Sequence, residues 1–298
     1  MPVSVRPFRR SDRDQLSALV NRHIAAVLPG VALSTNAVMN QLEREPNEVI
    51  LDPWVAERSC IVAIDHHAVV AAALLLRYSD EERVREGYRN AAEIRWVVAE
   101  PGAHGAADCL MTEVIAQAAA WGATALHAES ALPAPGCLGV PDTWPHVRQI
   151  LLDAGFSGPD RTEHVLAAEC ADLVGHCPAS YDVLRSVGAL GVRIDLAASG
   201  EPLGYIEVGE MNPALSRSIS AATWTDVGNL FPSEGTILTE VMPALVSAAA
   251  EWLLLGGIDR LIDYYAPDVH PPEYLAVLQQ LGFTRLATNE RGWTMQPG

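Results

Sequence analysis

EIRWVVAEPGAHGAADCLMTEVIAQAAAW, residues 93–121, changes its period halfway through, and that change decides how the chain is read. Ile94, Trp96, Val97 and Val98 are β-branched or aromatic and predict a strand. Pro101-Gly102 breaks it. Beyond Gly105 the apolar residues Leu110, Met111, Val114, Ile115, Ala118 and Trp121 recur at helical spacing, which lays them on one face of a helix. A strand, a short Gly/Ala loop and a helix point several unbonded backbone N–H groups and the positive end of a helix dipole at one spot. That spot suits a phosphate.

The chain does this twice. Placing Pro232 on Pro101 gives an offset of 232 − 101 = 131 residues, which carries Leu110-Met111 onto Val241-Met242, Val114-Ile115 onto Leu245-Val246 and Trp121 onto Trp252. Further along, Ile150-Leu151 and Gly155-Phe156 are answered by Val277-Leu278 and Gly282-Phe283, with the offset at 127. A repeat of this length is a duplicated domain rather than a solenoid unit.

The residues Glu93 to Pro101 resemble the fourth strand of the GNAT-superfamily N-acetyltransferases, which bind acetyl-CoA. The loop after them stands where that family has Arg/Gln-x-x-Gly-x-Gly/Ala. The late Leu-x-x-x-Gly-Phe resembles its last helix and strand, and Val3 to Asp12 its first strand and turn. The resemblance covers residues 3 to 168 and, in shortened form, about 183 to 296. It implies an α/β fold of the mixed-sheet kind: two GNAT-like domains, each a twisted mixed β-sheet flanked by helices, the second truncated at its N-terminal side. The expected domains are residues 1–168 and 181–298, with a linker within Cys170 to Ser180.

The resemblance also assigns roles. Coenzyme A would lie along Val97, Val98 and Ala99, with its pyrophosphate on Gly102, Ala103, His104, Gly105, Ala106 and Ala107. These residues are small and, Glu100 apart, bring no opposing charge close to the backbone. A backbone N–H near Val98 or Ala99 would polarise the thioester. Glu93 matches the place where some members carry a base acting through water, and Glu129 at the end of the next strand is a second candidate; a surface carboxylate paired with Arg95 or another cation is the competing reading of Glu93. The second copy offers Ser233-Glu234-Gly235-Thr236, where Glu234 would oppose a polyphosphate, and Pro243 is expected to delay its helix. Many members protonate the leaving thiolate with a Tyr four residues before Gly-Phe. Here that position is Leu151, and in the second copy Leu278, which leaves water, or another group such as His146, as the proton source. Tyr264, Tyr265 and His270 are candidates to line a pocket in the second copy.

Composition narrows the classes further. The formal net charge is −17, shared by both halves: 14 Arg against 21 acids in residues 1–167, and 6 against 16 in the rest. Such a field opposes nucleic acid and favours small cations. No apolar run is expected to span a membrane, and five scattered cysteines argue for reduced thiols, so a cytoplasmic protein is expected. The spacing of His164, Cys170, His176 and Cys177 fits no common zinc pattern, and no metal is expected. The activity implied is transfer of an acetyl or small acyl group from acetyl-CoA to an amine of a small, cationic molecule. A non-catalytic acyl-CoA sensor, and catalysis by the second copy, stay open as alternatives. The sequence leaves the oligomeric state undetermined.

Locally, Ser11 is expected to cap a helix running to about Leu28, buried through Leu16, Leu19, Val20 and Ile24. A second helix is expected over about Asn36 to Arg44. Val55 to Ile64 and Ala68 to Tyr78 read as a hairpin about Asp65-His66-His67. Ala125 to Ser130 reads as a strand, and a helix ends near Ala154. In the second copy Asp182 to Val187, Gly191 to Ala197 and Leu203 to Val208 read as strands, with the copy beginning at the family's hairpin and lacking its own first strand and helices.

Overall fold

A computed structural model describes residues 3–42, 52–209 and 223–296. The expected helix end at Arg44 lies outside the described residues. The chain forms two units, one of residues 1–162 together with 289–298, the other of residues 163–288.

Unit 1 is built from β1 (Ser4–Pro7), α1 (Arg13–Val27), α2 (Thr35–Asn40), β2 (Val55–Asp65), β3 (Ala68–Tyr78), β4 (Ala92–Ala99), α3 (His104–Ala120), β5 (Leu126–Ala128), β6 (Val140–Pro141) and α4 (Pro145–Asp153). The sheet order is β1-β2-β3-β4-β5, closed at its far edge by β14 (Trp293–Met295). Neighbours are antiparallel except β4 and β5, which run parallel. The hairpin forms as the sequence implies. Asp65 pairs with Ala68, and His66 and His67 both take positive φ (45° and 71°), the two-residue turn whose twist matches that of the strands. Leu16, Leu19, Val20 and Ile24 are buried on α1, and Leu110, Met111, Val114 and Ala118 on α3. Ser11 does not cap α1. A 3-10 turn, Arg10–Asp12, precedes it, and the Asp12 carboxylate takes the Arg9 N–H at 2.8 Å and the Arg6 guanidinium at 2.7 and 2.9 Å. An acid able to accept from a backbone amide and a cation at once displaces the hydroxyl.

Unit 2 takes most of β7 (Arg161–Glu169), then α5 (Cys170–Leu173), β8 (Tyr181–Val187), β9 (Val192–Ala198), β10 (Glu201–Val208), β11 (Trp224–Pro232), α6 (Leu238–Leu255), β12 (Arg260–Tyr265), α7 (Pro272–Gln280) and the first part of β13 (Thr284–Arg291). Its strands follow the order β13-β7-β12-β11-β10-β9-β8. Three sequence expectations need correction. The boundary falls inside β7 rather than between 168 and 181, because Leu166, Ala168, Cys170 and Leu173 are buried in the core of unit 2 instead of forming a solvated linker. The first-strand position is filled: β8 pairs antiparallel with β9 as β1 does with β2, so what is missing is the helical segment between them. Finally, α6 begins at Leu238 and carries Pro243 inside it, in the second turn, where the lost bond costs one carbonyl partner but does not stop the helix. α6 is also apolar and long enough to cross a bilayer by composition (mean hydropathy 1.4 over 18 residues), against the expectation of no such run; 56% of it is buried inside the protein.

Candidate active site

β4 and β5 part early. Ala92, Glu93 and Ile94 pair with Leu126, His127 and Ala128, and the Ala131 N–H still reaches the Arg95 carbonyl at 2.6 Å. Trp96 to Ala99 then continue with a strand on the β3 side alone. The cause is local. Leu75 pairs with Ile94 but Leu74 with Trp96, so Arg95 is an extra residue, a bulge that bends β4 and turns it away from β5. Val97, Val98 and Ala99, the strand residues expected to lie along the cofactor, are buried beyond this fork.

At the far end of β4 lies the loop Gly102 to Ala107. Gly102 has φ +90°, which a side chain rarely adopts, and lets the chain turn into α3. The Ala103 N–H closes on Glu100 and those of Ala106 and Ala107 on Ala103, while the N–H groups of Gly102, His104 and Gly105 have no acceptor among the described residues. A Cβ built on Gly102 or Gly105 meets nothing within 4 Å. Ala103 is half-buried, His104 exposed, and Ala106 and Ala107 are tucked inward as the first turn of the apolar face. The Glu100 carboxylate is ion-paired with Arg22. Free N–H groups, open space and a helix N-terminus together make a cradle of the kind that suits an anion.

The carboxylates stand at the fork. Glu93 is 2% exposed; it accepts a hydrogen bond from the Tyr78 hydroxyl and lies 3.3 Å from Arg95 Nη1. It pairs with Arg95, as one sequence reading had it, but is buried rather than at the surface. Burial, then the charge of Glu93, pushes the Tyr78 phenol up, so it stays a donor. Tyr88 packs edge-on to Tyr78 and against His127, and its phenol is raised by burial and by both Glu129 and Glu93. The two candidate acids thus belong to one cluster. Glu129 is ion-paired with Arg291 at 3.5 Å. Next to it Ser130 is fully buried with φ +49° and a hydroxyl that has no partner among the described residues. Sequence reasoning missed Tyr78, Tyr88, Ser130 and Arg291; the alternation along β3 and β4 carried a signal for Tyr78 alone, since it shares a sheet face with Glu93.

Unit 2 repeats the fork. β11 and β12 pair from Trp224–Arg260 to Asp226–Ile262 and no further, and Gly228 is the bulge, because Val208 pairs with Val227 but Glu207 with Asn229. Asp226 stands two residues before this bulge, as Glu93 does before Arg95, and it too accepts a tyrosine hydroxyl, from Tyr264 at 2.9 Å. Burial raises Asp226. The loop differs: Thr236 spends its N–H and hydroxyl on the Ser233 carbonyl, Glu234 is exposed, and Ile237 rather than Ser233 stands at the cap.

No family model matches the sequence, and neither does any curated protein. Solved structures do match the fold. A tandem GNAT protein from the clavulanic acid biosynthesis pathway superposes with a TM-score of 0.67 at 16% identity, over 100% of this chain and 99% of that one. A GCN5-related N-acetyltransferase from Sphaerobacter thermophilus gives 0.60 at 10% identity, over 99% and 96%. A GCN5-related glucosamine N-acetyltransferase region of a fungal multi-domain GH3 beta-N-acetylglucosaminidase gives 0.63 at 12%, with 98% of this chain matched to 38% of that one. The chain has a tandem GNAT fold.

Within the first GNAT unit, Leu151 is wholly buried, so the position where many GNAT proteins keep a tyrosine offers no hydroxyl. His146 is engaged elsewhere. Its Nε2 lies 3.0 Å from His23 Nε2, and burial holds it below the usual imidazole range. Since Leu19 O can only accept, His23 donates from Nδ1 (2.9 Å) and accepts at Nε2; burial holds it down at about 4.

In the second GNAT unit Tyr264 serves Asp226, while Tyr265 and His270 stack with His164 and Tyr274 rather than lining an open wall. Asp263 lies beneath, taking the Tyr264 N–H at 2.7 Å and the Tyr274 hydroxyl at 2.9 Å. Burial, outweighing those two bonds, raises it to about 7 from 3.8, with Asp226 and Glu163 adding repulsion. A carboxyl raised by folding gives stability that is whole below about 4 and is lost as pH rises through 7. Asp263→Asn will therefore be more stable than the parent at pH 8, by on the order of 4 kcal/mol at most, and indistinguishable near pH 4. Thermal melts across that range measure it; a variant less stable at pH 8 would mean that the two accepted bonds outweigh the buried charge.

Proposed function

We propose that the protein is an acyl-CoA-dependent N-acyltransferase, with the reaction in unit 1. The observation that carries this is the distance between fork and cradle. β4 spans about 20 Å between them at ~3.3 Å per residue, and offers a strand edge along the way. A long linear ligand with a diphosphate at one end and a thioester at the other, such as acetyl-CoA, suits that arrangement. The amine nitrogen would attack the thioester carbon, the C–S bond would break, and the amine proton would pass to Glu93, through water if need be. Tyr78 and Arg95 orient that carboxylate. The departing thiolate finds no tyrosine at Leu151, and water is its proton source. The five free cysteines are in keeping with an intracellular setting.

The acceptor is proposed to be cationic away from its reacting nitrogen, because a net charge of −17 concentrates such amines. Polyamines, aminoglycosides, amino acids and neutral aryl amines, compared by thiol release from acetyl-CoA at low and high salt, test both parts. Cationic amines should lead, and their lead should shrink with salt, since the Debye length is ~8 Å near physiological ionic strength. No release with any amine sinks the enzyme reading and leaves acyl-CoA sensing. A second reading places chemistry in unit 2; the matching position of Asp226 and its tyrosine favours it.

A further inference from the structure

We infer that Asn289 and Arg291 are positioning residues for the reacting end of unit 1, so that a segment far along the sequence completes the site; this rests on unit 1 being the acyl-transfer unit. The chain leaves the fork at Ser130 and returns at Gly139, whose N–H bonds the Glu129 carbonyl at 2.9 Å. Between them the loop is bonded within itself by Leu132 N–H to Cys137, Ala134 N–H to Leu132 and Cys137 N–H to Ala134. Asn289 adds two more. Its side chain, with no exposed surface, donates both Nδ2 protons into the loop, to the carbonyls of Gly136 at 2.9 Å and Leu138 at 2.8 Å. A primary amide is suited to this, having two donors on one atom.

The neighbouring residues fix the register. Asn289 and Glu290 pair with Pro141 and Val140, Glu290 takes Arg148 Nε at 3.0 and 3.1 Å, and Arg291 reaches Glu129. Gly139 makes the close approach possible: a Cβ there would lie 2.8 Å from Arg291 Cγ and 2.9 Å from the Glu290 carbonyl. Covering the open edge of β5 explains the pairing of β14, where Trp293 meets Ala128. It does not call for a side chain that ties the loop at two carbonyls, nor for a cation on Glu129. Both contacts act at the fork and neither touches Gly102 to Ala107, so they bear on the reacting end and not on diphosphate binding.

The test uses the full chain with Asn289→Ala, and Asn289→Asp, which keeps the shape but turns a double donor into an acceptor facing two carbonyls. Amide hydrogen exchange should speed up ~10-fold or more in residues 130–139 and stay unchanged in β2, β3 and α3. Acetyl-CoA affinity by calorimetry should stay within about twofold, while kcat/KM for spermidine falls ~10-fold. Arg291→Lys, which shortens the reach to Glu129, should lower kcat/KM without loosening the loop, and serves if the Asn289 variants fail to fold. Unchanged exchange in 130–139, or a loosened loop with unchanged kcat/KM, overturns the proposal, as does exchange that rises uniformly across unit 1. A parent protein that binds no acetyl-CoA would remove the acyl-transfer reading, and the exchange result would still decide whether Asn289 holds the loop.

Discussion

Gly105→Glu will abolish acetyl-CoA binding and leave the fold intact. Gly105 is the second residue of α3, its φ is not left-handed, and a Cβ there meets nothing within 4 Å. Replacing an early helical glycine gains about 0.5–1 kcal/mol of helix propensity, and an acid in the first turn interacts favourably with the dipole. The same carboxylate stands where a diphosphate would bind. Two unit charges 4 Å apart near a protein surface repel by about 4 kcal/mol, equivalent to ~10³ in Kd. Calorimetry with acetyl-CoA, beside a thermal melt, separates binding from folding. Unchanged affinity here, together with loss of affinity in Thr236→Glu, would move the cofactor to unit 2.

Glu93→Gln is expected to lower turnover by ~10² or more, the scale of losing a general base, with acetyl-CoA affinity retained. The substitution keeps the shape and the acceptor for the Tyr78 hydroxyl, so the buried pocket keeps its bond. The deficit should shrink as pH rises and more of the amine is already deprotonated. Asp226→Asn is the companion experiment. If Glu93→Gln turns over like the parent at neutral pH while Asp226→Asn does not, the chemistry belongs to the second fork and Glu93 is only a partner for Arg95.

What the sequence disclosed was whatever is written in local period. The change from strand to helix between Val98 and Leu110, the two-residue turn at His66-His67 and the repeat of the α3 face in α6 all follow from residues near one another. The fork itself was not legible. It depends on which residue of β4 is skipped, and an arginine bulge looks like any other strand residue until its partners Leu74 and Leu75 are known. Once both bulges are placed, Asp226 answers Glu93, a match that the offset of 131 had misplaced by two residues because Pro232 ends its strand, as Ala99 does, whereas Pro101 lies beyond the end of β4. The domain limits failed for a related reason. β7, through Val165 to Ala168, reads as an ordinary closing strand of the first copy, and nothing local says that residues 289–298 complete unit 1.

Unit 1 cannot finish its sheet when its own first 162 residues are made, because the strand that covers β5 comes after another 288 − 162 = 126 residues. At about 5–20 residues per second that is a wait on the order of 6–25 s on the ribosome. Throughout it the outer edge of β5 lacks Trp293 to Met295, and the loop at the fork lacks Asn289. An open strand edge is the kind of surface on which nascent chains associate. Unit 1, although it begins first, is therefore the last to be completed, by β14.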